Sequence, residues 1–130
     1  MKKLFSLLLV FAMVLSLCSC ISSVPSKEEM ISNAIELNWE KVNKERQENI
    51  VRAQNEYNDS IVKWTAKVYN INNGYVTMSN KSYNGVPIDF INVYLSNDDI
   101  AKLEKLQEVT VVGKLSISAG GSINDAFIIE

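Results

Sequence analysis

The stretch IVKWTAKVYNINNGYVTMS, residues 61–79, decides the fold predicted for this chain. Apolar and polar residues alternate over 62–69, and a period of two is typical of a strand with one buried face and one solvated face. Residues 72–74, Asn-Asn-Gly, accept positive φ at little cost and therefore predict a tight turn. A second strand, Tyr75–Ser79, follows, so the stretch predicts a hairpin.

The residues after this hairpin predict the rest of a small barrel. A polar loop at 80–85 precedes a third strand at 88–95, Ser96 is a suitable cap for a short helix through Leu106, and Gly113 marks a place where the fourth strand bends or another backbone approaches. The fourth strand is predicted at 108–117, a flexible loop at 118–124 and the fifth strand at 125–130.

Three strands, a helix and two strands are the order of the OB-fold, in which the helix plugs the barrel. An SH3-like barrel lacks that helix. The predicted fold class is therefore mainly β with helices, a five-stranded OB-fold barrel preceded by a long N-terminal helix.

Residues 27–58 contain neither Gly nor Pro and predict that helix. Ser26 and Glu29 have the spacing of a capping box at its start. Residues 43–49 are polar all round, so the N-terminal part is expected to overhang as a stalk, to fold back after a break, or to pair with another chain. The apolar residues that recur at helical spacing are Ile31, Ile35, Trp39, Val42, Ile50, Ala53 and Tyr57.

The N-terminus has the pattern of a secretory signal. Lys2 and Lys3 precede an apolar run at 4–17, which would span only about 21 Å as a helix, short of a hydrocarbon core of about 30 Å. The end of this segment resembles a bacterial lipobox. Cys20 is a better lipid acceptor than Cys18, because acylation of Cys18 would put bulky Leu17 at the preceding position, where a small residue is required. An ordinary secreted protein with a free cysteine is the alternative.

The lipobox resemblance implies a diacylglyceryl group on Cys20, with acyl chains such as palmitate, and cleavage before that residue. The predicted organisation is a signal peptide at 1–19, a tether at 20–26, the helix at 27–58 and the barrel at 59–130. The location expected is extracytoplasmic, on the outer face of the cell membrane, or at the outer membrane if the host has two membranes.

Residues 49–130 also resemble the tRNA-anti-like OB-fold family of small bacterial proteins. The resemblance rests on Asn49-x₃-Ala53-x₃-Tyr57 before the barrel, on the hairpin, and on Leu103-x₅-Val109-x-Val111-x-Gly113. Ala66 departs from the Gly that members often have in the first strand. The resemblance implies the fold and carries no catalytic residues with it.

OB-folds bind ligands on the face of their second and third strands and on the adjoining loops. Aromatic rings and amides on that face could stack on bases or on sugar rings, although such residues are also common on solvated strand faces for packing reasons. The loop 119–122 borders this surface. The predicted ligand-binding residues are Asn72, Asn73, Tyr75, Thr77, Phe90, Asn92 and Tyr94.

The composition argues against several other functions. The chain has no histidine and no cysteine after Cys20, so His/Cys metal sites, Ser-His-Asp and Cys-His systems and disulfides are excluded. The acids Asp59, Asp89, Asp98, Asp99 and Asp125 are not placed in one cleft as a catalytic pair or a metal site. We therefore expect no enzyme activity, no metal and no cofactor.

The charge argues against nucleic acid as a partner. Without Lys2 and Lys3 the 13 basic residues fall to 11, against 15 acidic residues, a net charge of about −4. The basic residues near the ligand face are Lys63, Lys67, Lys81 and Lys114.

Three functions remain as hypotheses. The first is a lipid-anchored, non-enzymatic binding or interaction module of the bacterial cell envelope, with an envelope protein or a small ligand as its partner. The second is an oligonucleotide- or glycan-binding domain that uses the strand 2–3 face. The third is a scaffold or oligomer formed by the N-terminal helix through Trp39 and Val42.

Overall fold

The computed structural model describes residues 24–118 and 120–129. The predicted signal peptide, Cys18, Cys20, most of the tether and Ala119 therefore lie outside the described residues. The helices are α1 Lys27–Asn33, α2 Trp39–Glu48, α3 Ile50–Tyr57 and α4 Asn97–Ile100. The strands are β1 Ile35–Glu36, β2 Ile61–Ile71, β3 Tyr75–Ser79, β4 Lys81–Tyr83, β5 Val86–Ile88, β6 Ile91–Tyr94, β7 Glu108–Ile117 and β8 Gly121–Ile129.

Five of these strands close into a barrel in the order β2-β3-β6-β8-β7, with β7 also paired to β2. β6 and β8 run parallel, whereas the other barrel pairs are antiparallel. The closed ring confirms the predicted fold class. The predicted first, second, third, fourth and fifth strands correspond to β2, β3, β6, β7 and β8.

The barrel interior is filled by the inward side chains of the alternating pattern. Val62, Trp64, Ala66 and Val68 on β2 are all buried, as the period of two predicts. Gly113 on β7 marks a close approach, because a Cβ there would lie 2.8 Å from the carbonyl oxygen of Asn124.

Helical segments close both ends of the barrel. Ile100 and Leu103 are buried at the end where β6 stops and β7 starts. The predicted helix through Leu106 is too long, since α4 ends at Ile100 and Leu106 is 63% exposed. Leu106 takes a φ of 68° because its amide donates to Val68 O, which joins this segment to β2.

The prediction of one helix over 27–58 is wrong, and the structure selects the alternative of folding back after a break. Residues 35–36 form β1, which pairs in parallel with β2 at Ile35↔Val62. Asn38 and Asn49 then start α2 and α3, their side chains accepting from the backbone amides of Lys41 and Arg52. Each asparagine cap satisfies an amide at a helix start and so favours a new helix.

The helices pack on their own barrel. Trp39, Val42 and Ala53 are buried at the end where β6 and β8 begin, whereas Ile31, Ile35 and Ile50 are exposed. The hypothesis of a scaffold or oligomer that uses Trp39 and Val42 is therefore wrong, since both side chains already belong to the core of this chain.

α1 covers the outer surface of the barrel at β7 and β8. Met30 packs against Val112 and Phe127, which form a second small apolar cluster, and the Lys27 ammonium lies 5.1 Å from the centroid of the Phe127 ring. We refer to this surface as the α1-covered face.

The predicted loop at 80–85 is wrong as well. β4 and β5 form a two-stranded hairpin around Asn84 and Gly85, whose φ values are 49° and 77°. These values suit the primed hairpin turns that Asn-Gly favours. The predicted strand 88–95 is in turn divided at Asp89, where φ is 50° and β5 gives way to β6.

Candidate ligand face and groove

Four predicted residues meet on the outside of β3 and β6. The register pairs Tyr75 with Tyr94 and Thr77 with Asn92. The two tyrosine rings lie 5.5 Å apart at an interplanar angle of 37°, and the Thr77 hydroxyl donates to Asn92 Oδ1 at 3.0 Å. Tyr75, Thr77, Asn92 and Tyr94 are called the β3–β6 face from here on.

The four residues differ in their accessibility. Tyr94 is 45% exposed and Tyr75 is partly exposed, so ring surface is open to solvent. Thr77 is only 7% exposed, because it is hydrogen bonded beneath its neighbours, and it acts as a support for Asn92 rather than as a contact residue.

The other predicted residues lie around this face. Asn72 and Asn73 are exposed in the turn between β2 and β3, as predicted. Phe90 lies between β5 and β6 rather than on a strand, and its ring is 49% exposed.

A groove of about 270 Å³ adjoins the face at Asn92 and Phe90. Its other wall comes from α2 and from the start of β8, and we call it the Arg46 groove. It is lined by Trp39, Asn43, Arg46, Asp89, Phe90, Asn92, Gly120 and Gly121.

A chain of hydrogen bonds fixes this groove. The Arg46 guanidinium donates through Nε and Nη2 to Asn43 Oδ1, at 3.0 and 2.7 Å. The Asn43 amide in turn donates to Asp89 Oδ1 at 3.0 Å, and the Trp39 indole donates to the Asp89 carbonyl at 2.8 Å. These contacts hold Asp89 in its left-handed conformation and so set the position of Phe90.

Sequence reasoning missed Asn43 and Arg46. Both lie in the polar stretch 43–49, which interrupts the apolar face of the predicted helix. Asn43 is only 6% exposed, and a buried polar side chain inside a polar stretch is understandable only once its partner Asp89 is known.

A second groove, of about 480 Å³, lies near β1 and the start of α2 and includes Lys81. Lys81 Nζ lies 2.8 Å from Glu40 Oε1, and the hydrogen bond and charge of Lys81 lower the pKa of Glu40. The same hydrogen bond raises the pKa of Lys81, so this ammonium keeps its charge and is held by a carboxylate. Lys81 is therefore less available for an anion than the sequence suggests.

In the described part of the chain, the β3–β6 face and the Arg46 groove offer aromatic rings, amides and a guanidinium, which are groups suited to binding a ligand. Asp89, the carboxylate of the Arg46 groove, is engaged by Asn43. Within residues 24–118 and 120–129 no cluster of three or more acidic, histidine or cysteine side chains is arranged to hold a metal ion. No helix in these ranges has the length and apolar character needed to cross a membrane.

Comparison with known proteins gives a structural relative and no sequence relative. No family model and no curated protein matches the sequence, so the resemblance to the tRNA-anti-like family stays a prediction. A crystal structure from Klebsiella pneumoniae subsp. pneumoniae, named a "putative nucleic acid-binding lipoprotein", superposes with a TM-score of 0.62 at 11% identity. The match covers 82% of this chain and the whole of that one, and it supports the fold.

This relative corrects one expectation. The net charge of about −4 argued against nucleic acid as a partner, but a protein of the same fold carries the name of a nucleic acid-binding lipoprotein. Net charge does not exclude this ligand class, because a single strand can be held by stacking on aromatic rings as well as by cations.

Proposed function

We propose that this chain is a lipid-anchored, non-enzymatic binding module that holds a single-stranded nucleic acid on the β3–β6 face and in the Arg46 groove. The observation that carries the proposal is the open tyrosine pair beside a groove that contains a guanidinium and an exposed phenylalanine ring. The β3–β6 face corresponds to the strand 2–3 face on which OB-folds bind oligonucleotides, and the Arg46 groove adjoins it at Asn92.

The side chains suit the parts of a nucleotide. Tyr94 and Phe90 offer ring surface on which a base can stack, a contact worth about 1–3 kcal/mol per base. Asn92 offers an amide for a base edge, and Arg46 offers charge for one phosphate. The name of the Klebsiella protein supports the same ligand class.

The scarcity of cations predicts an unusual salt dependence. Among the described residues that line the groove, one is basic, Arg46, whose guanidinium also donates to Asn43, and Lys81 of the neighbouring groove is paired with Glu40. Each phosphate neutralised on a single strand contributes about −0.7 to the slope of log affinity against log salt. We expect a slope of about −0.7, with stacking supplying most of the affinity.

The test is titration of the protein with fluorescent single-stranded oligonucleotides at several salt concentrations. Tyr94→Ala should weaken binding by about 5- to 150-fold, the range that loss of one stacked base implies. Tyr83→Ala is the matched control, because Tyr83 is 72% exposed on β4, outside the face. Equal losses in the two variants, or binding only to soluble cell-wall glycans, would refute the nucleic acid proposal.

A separate experiment tests the lipid anchor proposed on the sulfur of Cys20. The precursor expressed in bacteria should incorporate radiolabelled palmitate and remain with the membrane fraction, because two or more acyl chains give durable attachment. Cys20→Ala should abolish labelling and release the protein, whereas Cys18→Ala should do neither. Palmitate labelling that persists in Cys20→Ala would refute the anchor.

A further inference from the structure

An apolar groove of about 530 Å³ lies beside α1, on the side of the barrel formed by β7, β8 and the start of β2. Val24 stands at this groove and is 91% exposed, and Met30, Ile61 and Phe127 supply apolar lining. Met30 and Phe127 are themselves buried, so Val24, Pro25 and the partly exposed Ile61 form the apolar surface that the groove presents to solvent.

The position of Val24 along the chain limits what can lie opposite the groove. Val24 follows Cys20 by four residues, and four extended residues reach at most about 14 Å. A protein attached to a bilayer through Cys20 therefore holds this groove within that distance of the lipid surface.

The strand order determines which part of the barrel lies opposite the β3–β6 face. In the ring β2-β3-β6-β8-β7, β7 lies across the barrel from the β3–β6 pair. α1 lies on β7 and β8, on the opposite side of the barrel from the β3–β6 face, and the groove extends from there to Ser96 and Asp99 beyond the end of β6.

We propose that the groove and the α1-covered face beside it rest on the bilayer, with Val24 inserted among the lipids and the β3–β6 face turned away from the membrane. This orientation rests on the lipid anchor of the proposed function, and it does not depend on the identity of the ligand. In this orientation the short tether holds the binding face in a fixed direction, away from the membrane.

The charges at the groove indicate how the contact is made. Lys27 and Lys114 line it together with Asp99 and Asp125, so the two signs balance. Attraction to anionic headgroups needs an excess of basic residues, which is not present at this groove. Glu28 and Glu29 are exposed in the first turn of α1, so the contact should depend on apolar insertion and weaken as the fraction of anionic lipid rises.

The experiment uses the lipidated full-length protein in phosphatidylethanolamine–phosphatidylglycerol vesicles that contain a nitroxide-labelled lipid. Acylated Cys20 leaves the mature chain with no free cysteine, so one introduced thiol carries one fluorophore. The label is placed by Lys27→Cys at the groove or by Tyr83→Cys on the hairpin. We expect at least about twofold stronger quenching at position 27 than at position 83.

Two further variants connect this difference to Val24. Val24→Asp in the Lys27→Cys background should reduce quenching to the level of position 83, since a carboxylate does not enter the apolar layer. Val86→Asp makes the same exchange at a valine that is 62% exposed on β5, and it should leave quenching unchanged.

Equal quenching at positions 27 and 83 in vesicle-bound protein would overturn the orientation, as would a difference that survives Val24→Asp. Protein that does not stay with the vesicles would overturn the anchor and the orientation together. Loss of oligonucleotide binding with the quenching difference intact would overturn only the ligand site.

Discussion

The outward side chains of the alternating strands form two surfaces on the barrel. One is covered by α1, and the other is open to solvent. On the α1-covered face, Val112 and Phe127 are buried under Met30 at 0%, 6% and 7% exposure. On the β3–β6 face, Tyr94 is 45% exposed and Tyr75 is partly exposed.

The difference separates stability from recognition. Apolar groups removed from water contribute about 25 cal/mol per Å², so the α1-covered face adds to the free energy of unfolding. An aromatic pair left open contributes about 0.5–1.5 kcal/mol and keeps ring surface available for a ligand. A solvated strand face thus either joins the core or stays open to solvent, according to whether another element of the chain covers it.

Met30→Ala should have the largest effect among the variants that test this comparison. We expect a loss of about 2–3 kcal/mol in the free energy of unfolding, because truncation leaves a cavity over Val112 and Phe127. Urea denaturation followed by circular dichroism measures it. Tyr94→Ala should cost about 1 kcal/mol, and equal costs for the two variants would contradict the division into a structural and a functional face.

Tyr57→Phe tests a second covered region, where α3 meets α2. The Tyr57 hydroxyl donates to Glu45 Oε2 at 2.7 Å, so its loss should cost about 1 kcal/mol at pH 7. This hydrogen bond, with burial as a smaller cause, raises the pKa of Tyr57 well above its ordinary value.

The raised pKa makes this contribution depend on pH. Below pH about 10 the hydroxyl is protonated in both states and the stabilisation is fully present. Above it the unfolded chain ionises first, so stability falls as the pH rises. The gap between wild type and Tyr57→Phe should therefore shrink from pH 9 to pH 11 in urea titrations, and a constant gap would argue against the Glu45 contact.

Gly85→Ala should have the smallest effect on the stability of the whole molecule. It tests the side of the barrel that α1 does not cover. Gly85 has a φ of 77° and open space where a Cβ would stand, so the cost is backbone strain of about 1 kcal/mol within the β4–β5 hairpin. Amide exchange should accelerate in the hairpin, and the free energy of unfolding should fall by no more than about 1 kcal/mol. Gly120→Ala is the control, with open space and no positive φ.

Much of the barrel follows from local pattern. The alternation over 62–69 predicts which β2 side chains face inward, and the helix between the third and fourth strands predicts the closed topology. The break of the N-terminal helix is harder to predict, since β1 forms only because β2 offers an edge at Val62. The hairpin at Asn84-Gly85 had a recognisable signal, but its strands are only three residues each and exposed.

The site was predicted in part, and for a physical reason. Cross-strand pairs such as Tyr75 and Tyr94 share a face whenever the two strands are neighbours, so strand order was sufficient to find them. Asn43 and Arg46 come from a helix that is distant in sequence from β6, and no periodicity encodes the Asn43–Asp89 contact. The alternation of inward and outward residues likewise does not predict that Thr77 is buried on the outer face, where its hydroxyl donates to Asn92.

The position of β8 between β6 and β7 also determines when the barrel can form. β8 is the last strand in the chain, yet both of its neighbours need it to complete the ring. Pairings between distant residues form slowly, because the chain must close long loops before they stabilise it. The ring therefore cannot close until β8, the last strand among the described residues, is available to pair with both β6 and β7.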